Sequence, residues 1–426
     1  MFRSAGQTAL ILAIGLGLVV VVCGFPYVFL LLAFAGGMIF WPWGALAVPI
    51  GAMLTVTGLV IGTWLAARKF GSFTLRQKGR LVAGLLIASL ALFVYCATRP
   101  IDGTWTSLAP SGPSPDGRRD LSAAWATAEG RLLVYNGGAV ESVSDLWSYR
   151  PATNTWEQLS QNGPQPSGRH DQSVVWDGVD GELLLFGGAV GGGGGLREFD
   201  DMWAFQLASG QWTQVAPNGG VPAARFAHTA VWDAADSQML MFGGFSRERG
   251  MLNDLWSYRP ATNTWEQLIP VGELPEPRRF QSAIWDPADG QMLVFGGVGF
   301  NGPYNDLWSY RPATNAWVLL HPGGSMPEAR VSPGAVWDGA RDRMLIFGGC
   351  CVPMDSLTAD QPRSDLWSYE PANDLWSELR TSGTPAADYA NSAVWDPDDG
   401  QMLVFSASLF KGLWSYRPSA PPRQAS

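Results

Sequence analysis

The chain has 426 residues, 47% of them hydrophobic, and a formal net charge of −9. Seven of the 28 basic residues and none of the 37 acidic ones fall within residues 1–99, which leaves 21 basic against 37 acidic groups beyond, a net of −16. That length accommodates more than one domain, and so acidic a second part argues against a nucleic-acid partner. Four cysteines (Cys23, Cys96, Cys350, Cys351) are too few for a disulfide framework. The first two read as buried thiols, and the vicinal pair Cys350-Cys351 is either a strained disulfide or two thiols.

No charged residue occurs between Arg3 and Arg68. A membrane-spanning helix needs about 20 apolar residues, so this run predicts two crossings, near residues 8–33 and 45–67, with Gly36, Gly37 and Trp41–Gly44 as the turn. A third apolar segment, residues 81–97, follows a loop carrying Arg68, Lys69, Arg76, Lys78 and Arg80. Short basic loops stay cytoplasmic. The expectation is therefore a multi-pass protein of the cytoplasmic membrane, with about three helices in residues 1–99, its N-terminus inside and everything after Arg99 extracytoplasmic. A split of the first segment near Pro26 would give four helices and move only the N-terminus.

Beyond residue 100 one unit recurs. Asp145–Leu159 reads DLWSYRPATNTWEQL and returns letter for letter at Asp254–Leu268, with looser copies from Asp201, Asp306 and Asp365. A period of about 50 residues marks a repeat architecture. Each copy predicts four short strands. The first ends in a Trp (Trp125, Trp176, Trp232, Trp285, Trp337, Trp395) and is followed by a turn rich in Asp and Gly. The second is apolar and usually ends in Gly-Gly, as at Gly187-Gly188 and Gly243-Gly244. The third is LWSY or a variant, and the fourth carries a Trp seven positions after the Tyr, as in Tyr149/Trp156 and Tyr258/Trp265.

The double glycine and the Tyr and Trp with six residues between them resemble kelch repeats of the galactose oxidase/kelch-like superfamily, over about three quarters of the chain. The resemblance implies an all-β fold, a kelch-type β-propeller with one four-stranded sheet per blade around a central channel. The last copy stops after its third strand at Tyr416, and the missing piece appears at the other end as Thr104–Leu108. This predicts six blades over residues 100–420, closed by the N-terminal strand, which removes an open sheet edge; residues 421–426 are a tail. So short a linker, at most ~20 Å at ~3.4 Å per residue, turns the RPATN face toward the bilayer. The second-to-third and fourth-to-first loops then point outward. They vary, the longest being Cys350–Ser364; Gly191–Gly195 in another reads as a flexible linker. Variable loops on a rigid scaffold are where binding sits.

An Arg lies seven residues before each of five first-strand tryptophans: Arg118, Arg169, Arg225, Arg278 and Arg330. At the outward channel mouth these are either a cation ring for an anionic ligand or partners of the Asp before each third strand (Asp145, Asp201, Asp254, Asp306, Asp365). Blade six has lost both, with Asp388 and Gly412 in their places. Asp388, Tyr389 and Lys411 mark either a ligand site or decay of the last repeat, and His170 sits near the mouth. His170, His228 and His321 show no metal-ligand spacing, and the acidic hairpins lack a full calcium ligand set. Some kelch propellers are copper oxidases with a Tyr–Cys crosslink, but the resemblance does not extend to those residues. No cofactor or metal is expected.

The sequence therefore predicts a membrane-anchored binding module. Its partner is a protein or a carbohydrate at the outward mouth, and residues 8–97 lie in the lipid bilayer. The alternative is an extracytoplasmic sugar-processing enzyme with its site at the same mouth.

Overall fold

A computed structural model describes residues 100–115, 121–135, 144–192, 195–350, 362–383, 385, 392–406 and 412–419. The chain divides into two compact units, Met1–Pro100 and Ile101–Ser426. The expected membrane segments lie outside the described residues, as do Arg118, Cys351, Asp388, Tyr389, Lys411 and the tail. Among the described residues no helix is long and apolar enough to cross a membrane.

The second unit is built of six antiparallel blades. Blade one has strands Ser122–Ala126, Arg131–Tyr135, Leu146–Arg150 and Thr155–Gln158. Blade two has Ser173–Asp177, Glu182–Phe186, Met202–Gln206 and Gln211–Val215; blade three has Thr229–Asp233, Gln238–Ser246, Gly250–Arg259 and Thr264–Leu268. Blade four comprises Ser282–Asp286, Gln291–Phe295, Leu307–Arg311 and Ala316–Leu320, and blade five Gly334–Asp338, Arg343–Phe347, Leu366–Glu370 and Leu375–Glu378. Blade six takes Ser392–Asp396, Gln401–Ser406 and Gly412–Pro418 from the end of the chain and Gly103–Leu108 from its other side. First strands neighbour one another in cyclic order, blade six against blade one.

Closure by the N-terminal strand is complete over six residue pairs, from Gly103 opposite Pro418 to Leu108 opposite Leu413. Trp105 faces Tyr416 there, the pairing that Trp156 makes with Tyr149 and Trp265 with Tyr258. Each Trp then bridges two blades. Trp156 meets Phe405 of blade six at 5.4 Å, Trp265 meets Phe186 of blade two at 5.1 Å, and Trp105 meets Phe347 of blade five at 4.7 Å. Six apolar clusters result, one between each pair of adjacent blades, and they form the core. Aromatic rings suit this seam because one side chain covers a large area on both sheets.

The third-to-fourth turn is a latch. In blades one, three and four a 3-10 turn ends on an Asn in the left-handed region (Asn154, φ 50°; Asn263, φ 49°; Asn315, φ 45°). That Asn accepts from the blade's Tyr hydroxyl and donates to the preceding blade, at the Ala109, Ala216 and Ile269 carbonyls. Asn adopts this conformation cheaply and carries both donor and acceptor, which explains the uniformity of RPATN.

Three of the variable connections are more regular than expected. Ala189–Gly192 pairs with Gly195–Glu198, Val298–Gly299 pairs with Gly302–Pro303, and the second and third strands of blade three continue to a hairpin closing at Ser246 and Gly250. The flexible-linker reading of Gly191–Gly195 is thus corrected, because Gly191 and Gly192 lie in a paired strand.

Candidate functional site

The channel has two mouths. One carries the first-to-second hairpins and the RPATN turns; the other carries the second-to-third and fourth-to-first connections, where the sequence placed the candidate residues. At this second mouth the backbone forms a collar. Asp171, Ala227, Phe280 and Ser332 precede the first strands of blades two to five by two residues, and all have positive φ (55°, 55°, 59° and 50°). Three bonds join them from blade to blade: Ala227 N–H donates to the Asp171 carbonyl at 2.8 Å, Phe280 N–H to Ala227 at 2.9 Å and Ser332 N–H to Phe280 at 2.8 Å. Left-handed backbone is unfavourable for a residue as bulky as Phe, and such strain clusters where binding occurs. The collar borders a cavity of about 160 Å³ whose walls are largely polar, among them Ser122, Gln172, His228, Gln281 and Ser332.

The repeated geometry of the double glycine explains how this mouth is packed. Gly188 has φ 95°, and a Cβ there would lie 2.9 Å from the Gln172 Cβ and 3.0 Å from the His170 carbonyl oxygen. Only glycine meets both demands.

Four of the five expected arginines are described, and they are built alike. Arg169, Arg225, Arg278 and Arg330 are each 0% exposed. Arg225 donates from Nε to the Ala223 carbonyl (3.0 Å), from Nη1 to the Gly243 carbonyl (3.1 Å), and from Nη1 and Nη2 to the two oxygens of Asp254 (2.7 and 2.8 Å). Arg169, Arg278 and Arg330 hold Asp201, Asp306 and Asp365 in the same bidentate way. Each Asp also accepts from the indole of the following LWSY-type strand, as in Trp256 to Asp254 at 2.7 Å. Aromatic rings cap two of the guanidinium groups, Phe199 over Arg169 at 4.0 Å and Tyr304 over Arg278 at 4.3 Å. Burial pushes the Asp254 carboxyl up, but the bonds and charge of Arg225 outweigh it and leave the group below its ordinary value. Of the two alternatives for these arginines, the geometry favours the paired one: each is a pin tying the start of the first strand to the start of the third.

His170 lies at the mouth with Nδ1 2.9 Å from Asp171 Oδ2. His228 is 7% exposed, and its Nε2 sits 2.8 Å from Ser173 Oγ of blade two. A Ser–His contact can signal a nucleophile and its base. Here Nδ1 of His228 has no hydrogen-bond partner among the described residues, so no carboxylate orients the ring. Burial, then the Arg225 charge, hold its pKa down at about 3, with Asp254 opposing. The corresponding serines Ser122, Ser282 and Ser392 donate to carbonyls of the next blade (Gln172, Pro333, Leu121). Ser173–His228 is the same inter-blade tie made with a side chain. No group of three His, Cys, Asp or Glu residues among those described is placed to hold a metal ion.

The acidic hairpins of the opposite face are turn formers. Asp286 accepts from the Ala288 and Asp289 N–H groups and from Gln291 Nε2; Asp233 and Asp396 repeat the pattern.

One residue that the repeat analysis passed over stands out. Arg279, next to the pinned Arg278, makes no ion pair among the described residues, and its Nε has no hydrogen-bond partner. Its guanidinium instead lies 5.5 Å from the Phe245 ring centroid and 5.2 Å from that of Phe280 in the collar. The doubled Arg278-Arg279 held the signal, since Asp306 neutralises only one of the pair. Phe300, 77% exposed, projects from the hairpin of the same blade.

The chain matches the family model described as the KLHDC2/KLHL20/DRC7 Kelch-repeats domain over residues 178–406, just over half its length. It is 29% identical over 229 residues to multiple epidermal growth factor-like domains protein 8 of Mus musculus, covering 51% of this chain and 8% of that protein. It is 27% identical over 259 residues to host cell factor 1 of Homo sapiens, covering 56% and 12%, and 27% identical over 278 residues to human host cell factor 2, covering 60% and 34%. The chain thus spans 8% to 34% of the length of these curated relatives. A double glycine at the end of the second strand, a Tyr–Trp pair across the outer strands and six sheets closed in a ring agree with that match, and the chain belongs to the kelch-repeat proteins.

Proposed function

We propose that this protein is a membrane-anchored interaction module whose kelch propeller binds a protein partner at the collar face. The observation that carries the reading is Arg279, a cation resting on two phenylalanine rings with no carboxylate partner among the described residues. Around it the face combines a strained collar, exposed Phe300 and hairpins that differ from blade to blade. Aromatic and Arg anchors on a rigid support are the usual make-up of a protein-binding hot spot. His170 borders this surface, and Arg118, Asp388, Tyr389 and Lys411 are assigned to its rim from their places in the repeat.

The membrane part of the proposal rests on the uncharged run between Arg3 and Arg68 and the basic loop that follows. It makes residues 8–97 a multi-pass anchor in the cytoplasmic membrane and places the propeller outside.

The test is a screen of surface proteins and glycans against the full-length chain, with Arg279→Ala and Phe300→Ala as probes. Loss of about tenfold or more in affinity for a protein partner, with the circular dichroism of the propeller unchanged, supports the reading. A ligand that is a glycan, or binding indifferent to both changes, overturns it. Protease accessibility of the propeller in intact cells tests the sidedness separately.

A further inference from the structure

The hairpin face has a different chemistry, independent of the collar and of the function proposed for it. Every first strand has a tryptophan as its penultimate residue, and Trp125, Trp176, Trp232, Trp285, Trp337 and Trp395 all line one cavity of about 460 Å³ at this end of the channel. Each indole packs into an inter-blade cluster and also borders this space. Small aliphatic residues such as Ala123, Ala230 and Ala335 form the deeper wall, and no ionisable side chain lines it. The Nε1 atoms of Trp125, Trp176 and Trp337 are themselves buried. What these three present to the cavity is therefore aromatic carbon.

The rim is acidic. The hairpins following the tryptophans expose Asp180, Asp236, Asp289, Asp398 and Asp399. Arg311 and Arg417 approach Asp289 and Asp399, at 4.0 and 3.2 Å, whereas Asp180, Asp236 and Asp398 have no cationic partner among the described residues. Their field is felt locally: besides burial, the Asp180 charge pushes the Asp177 and Glu182 carboxyls up.

An uncharged aromatic cavity beneath a negative rim selects by charge and by hydration. Inorganic cations would lose their water and find no oxygen ligands inside, and anions are repelled at the rim. An ammonium ion wrapped in alkyl groups sheds little water, gains apolar contact and is attracted by the π-faces of tryptophan, the strongest of the aromatic partners. We infer that the Trp-ringed end of the channel is a binding site for an organic ammonium cation.

The test uses the full-length chain carrying fluorine-labelled tryptophan, titrated with choline and with its neutral carbon isostere, in which a tert-butyl group replaces trimethylammonium. Choline should shift the tryptophan resonances saturably and bind about tenfold more tightly than the isostere, the effect of a desolvated cation–π contact. Asp180→Asn with Asp236→Asn, on exposed turns, should weaken choline about two- to threefold and leave the isostere unchanged, since only the charged ligand feels the rim. Ala230→Phe with Ala335→Phe should abolish both by filling the cavity. Equal affinity for the two ligands, or choline binding unmoved by the Asp variants, would overturn the inference, as would no saturable choline shift in protein whose fold is intact.

Discussion

Replacing Arg225 by Met is the sharpest probe of the pinned Arg–Asp pairs. The side chain is 0% exposed and donates to two carbonyls and to both oxygens of Asp254. Methionine fills much of the volume but leaves Asp254 a partly buried carboxylate whose remaining side-chain donor is Trp256. Breaking one side of a buried pair costs about 3–5 kcal/mol, a large share of the ~5–15 kcal/mol by which folded domains are stable. Removing both charges, as Arg225→Met with Asp254→Leu, should recover about 2 kcal/mol or more of that loss, because the two sites are coupled. The pH dependence gives a sign. In the native chain the Asp254 carboxyl is held below its ordinary value, so its contribution is present above the unfolded-state pKa and lost as pH falls through the folded one. In Arg225→Met burial is opposed only by the Trp256 and backbone hydrogen bonds, so the carboxyl rises from its native value and the penalty should shrink as pH falls from 7 toward about 4. Denaturant unfolding followed by near-ultraviolet circular dichroism measures all of this. A single variant costing under about 1 kcal/mol, the size of a surface pair, with no dependence on pH, would show that the pair is not structural.

His228→Gln introduces the residue that blades two and four already place there, Gln172 and Gln281. The native ring, with its pKa held at about 3, stays neutral while the unfolded chain takes up a proton below about 6.5. Native stability should therefore fall as pH drops from about 6.5 toward 3, and the variant should flatten that slope in thermal melts taken across the range. Trp105→Ala, at the closing seam between blades five and six, should cost about 3–5 kcal/mol, and removal of residues 100–108 should expose the third strand of blade six and drive association, visible by size-exclusion chromatography.

Much of the scaffold was legible because a repeat reports its own exceptions. The Tyr–Trp spacing failed once, after Tyr416, and the orphan Trp105 lay at the other end, so ring closure followed from counting. The Arg–Asp partnership was one of two alternatives raised by their joint absence from blade six; distances of 2.7 and 2.8 Å in blade three decide for it there. The acidic hairpins read as turns for a local reason: each Asp accepts from backbone two and three residues ahead.

What the sequence determined by itself was the unit, its number and its order, since strand pattern, turn chemistry and Tyr–Trp pairing are short-range properties repeated about every 50 residues. Only the tertiary structure decided the surfaces. The collar of left-handed residues, the Ser173–His228 tie and the ring of six tryptophans each join positions about 50 or more residues apart in different blades. Arg279 shows the same division: its letters resemble those of its neighbour, yet Arg278 is buried against Asp306 while Arg279 lies across Phe245 and Phe280. Which charge is pinned by a carboxylate and which lies on aromatic rings depends on where the blades bring these groups together, and that is fixed by packing rather than by spacing.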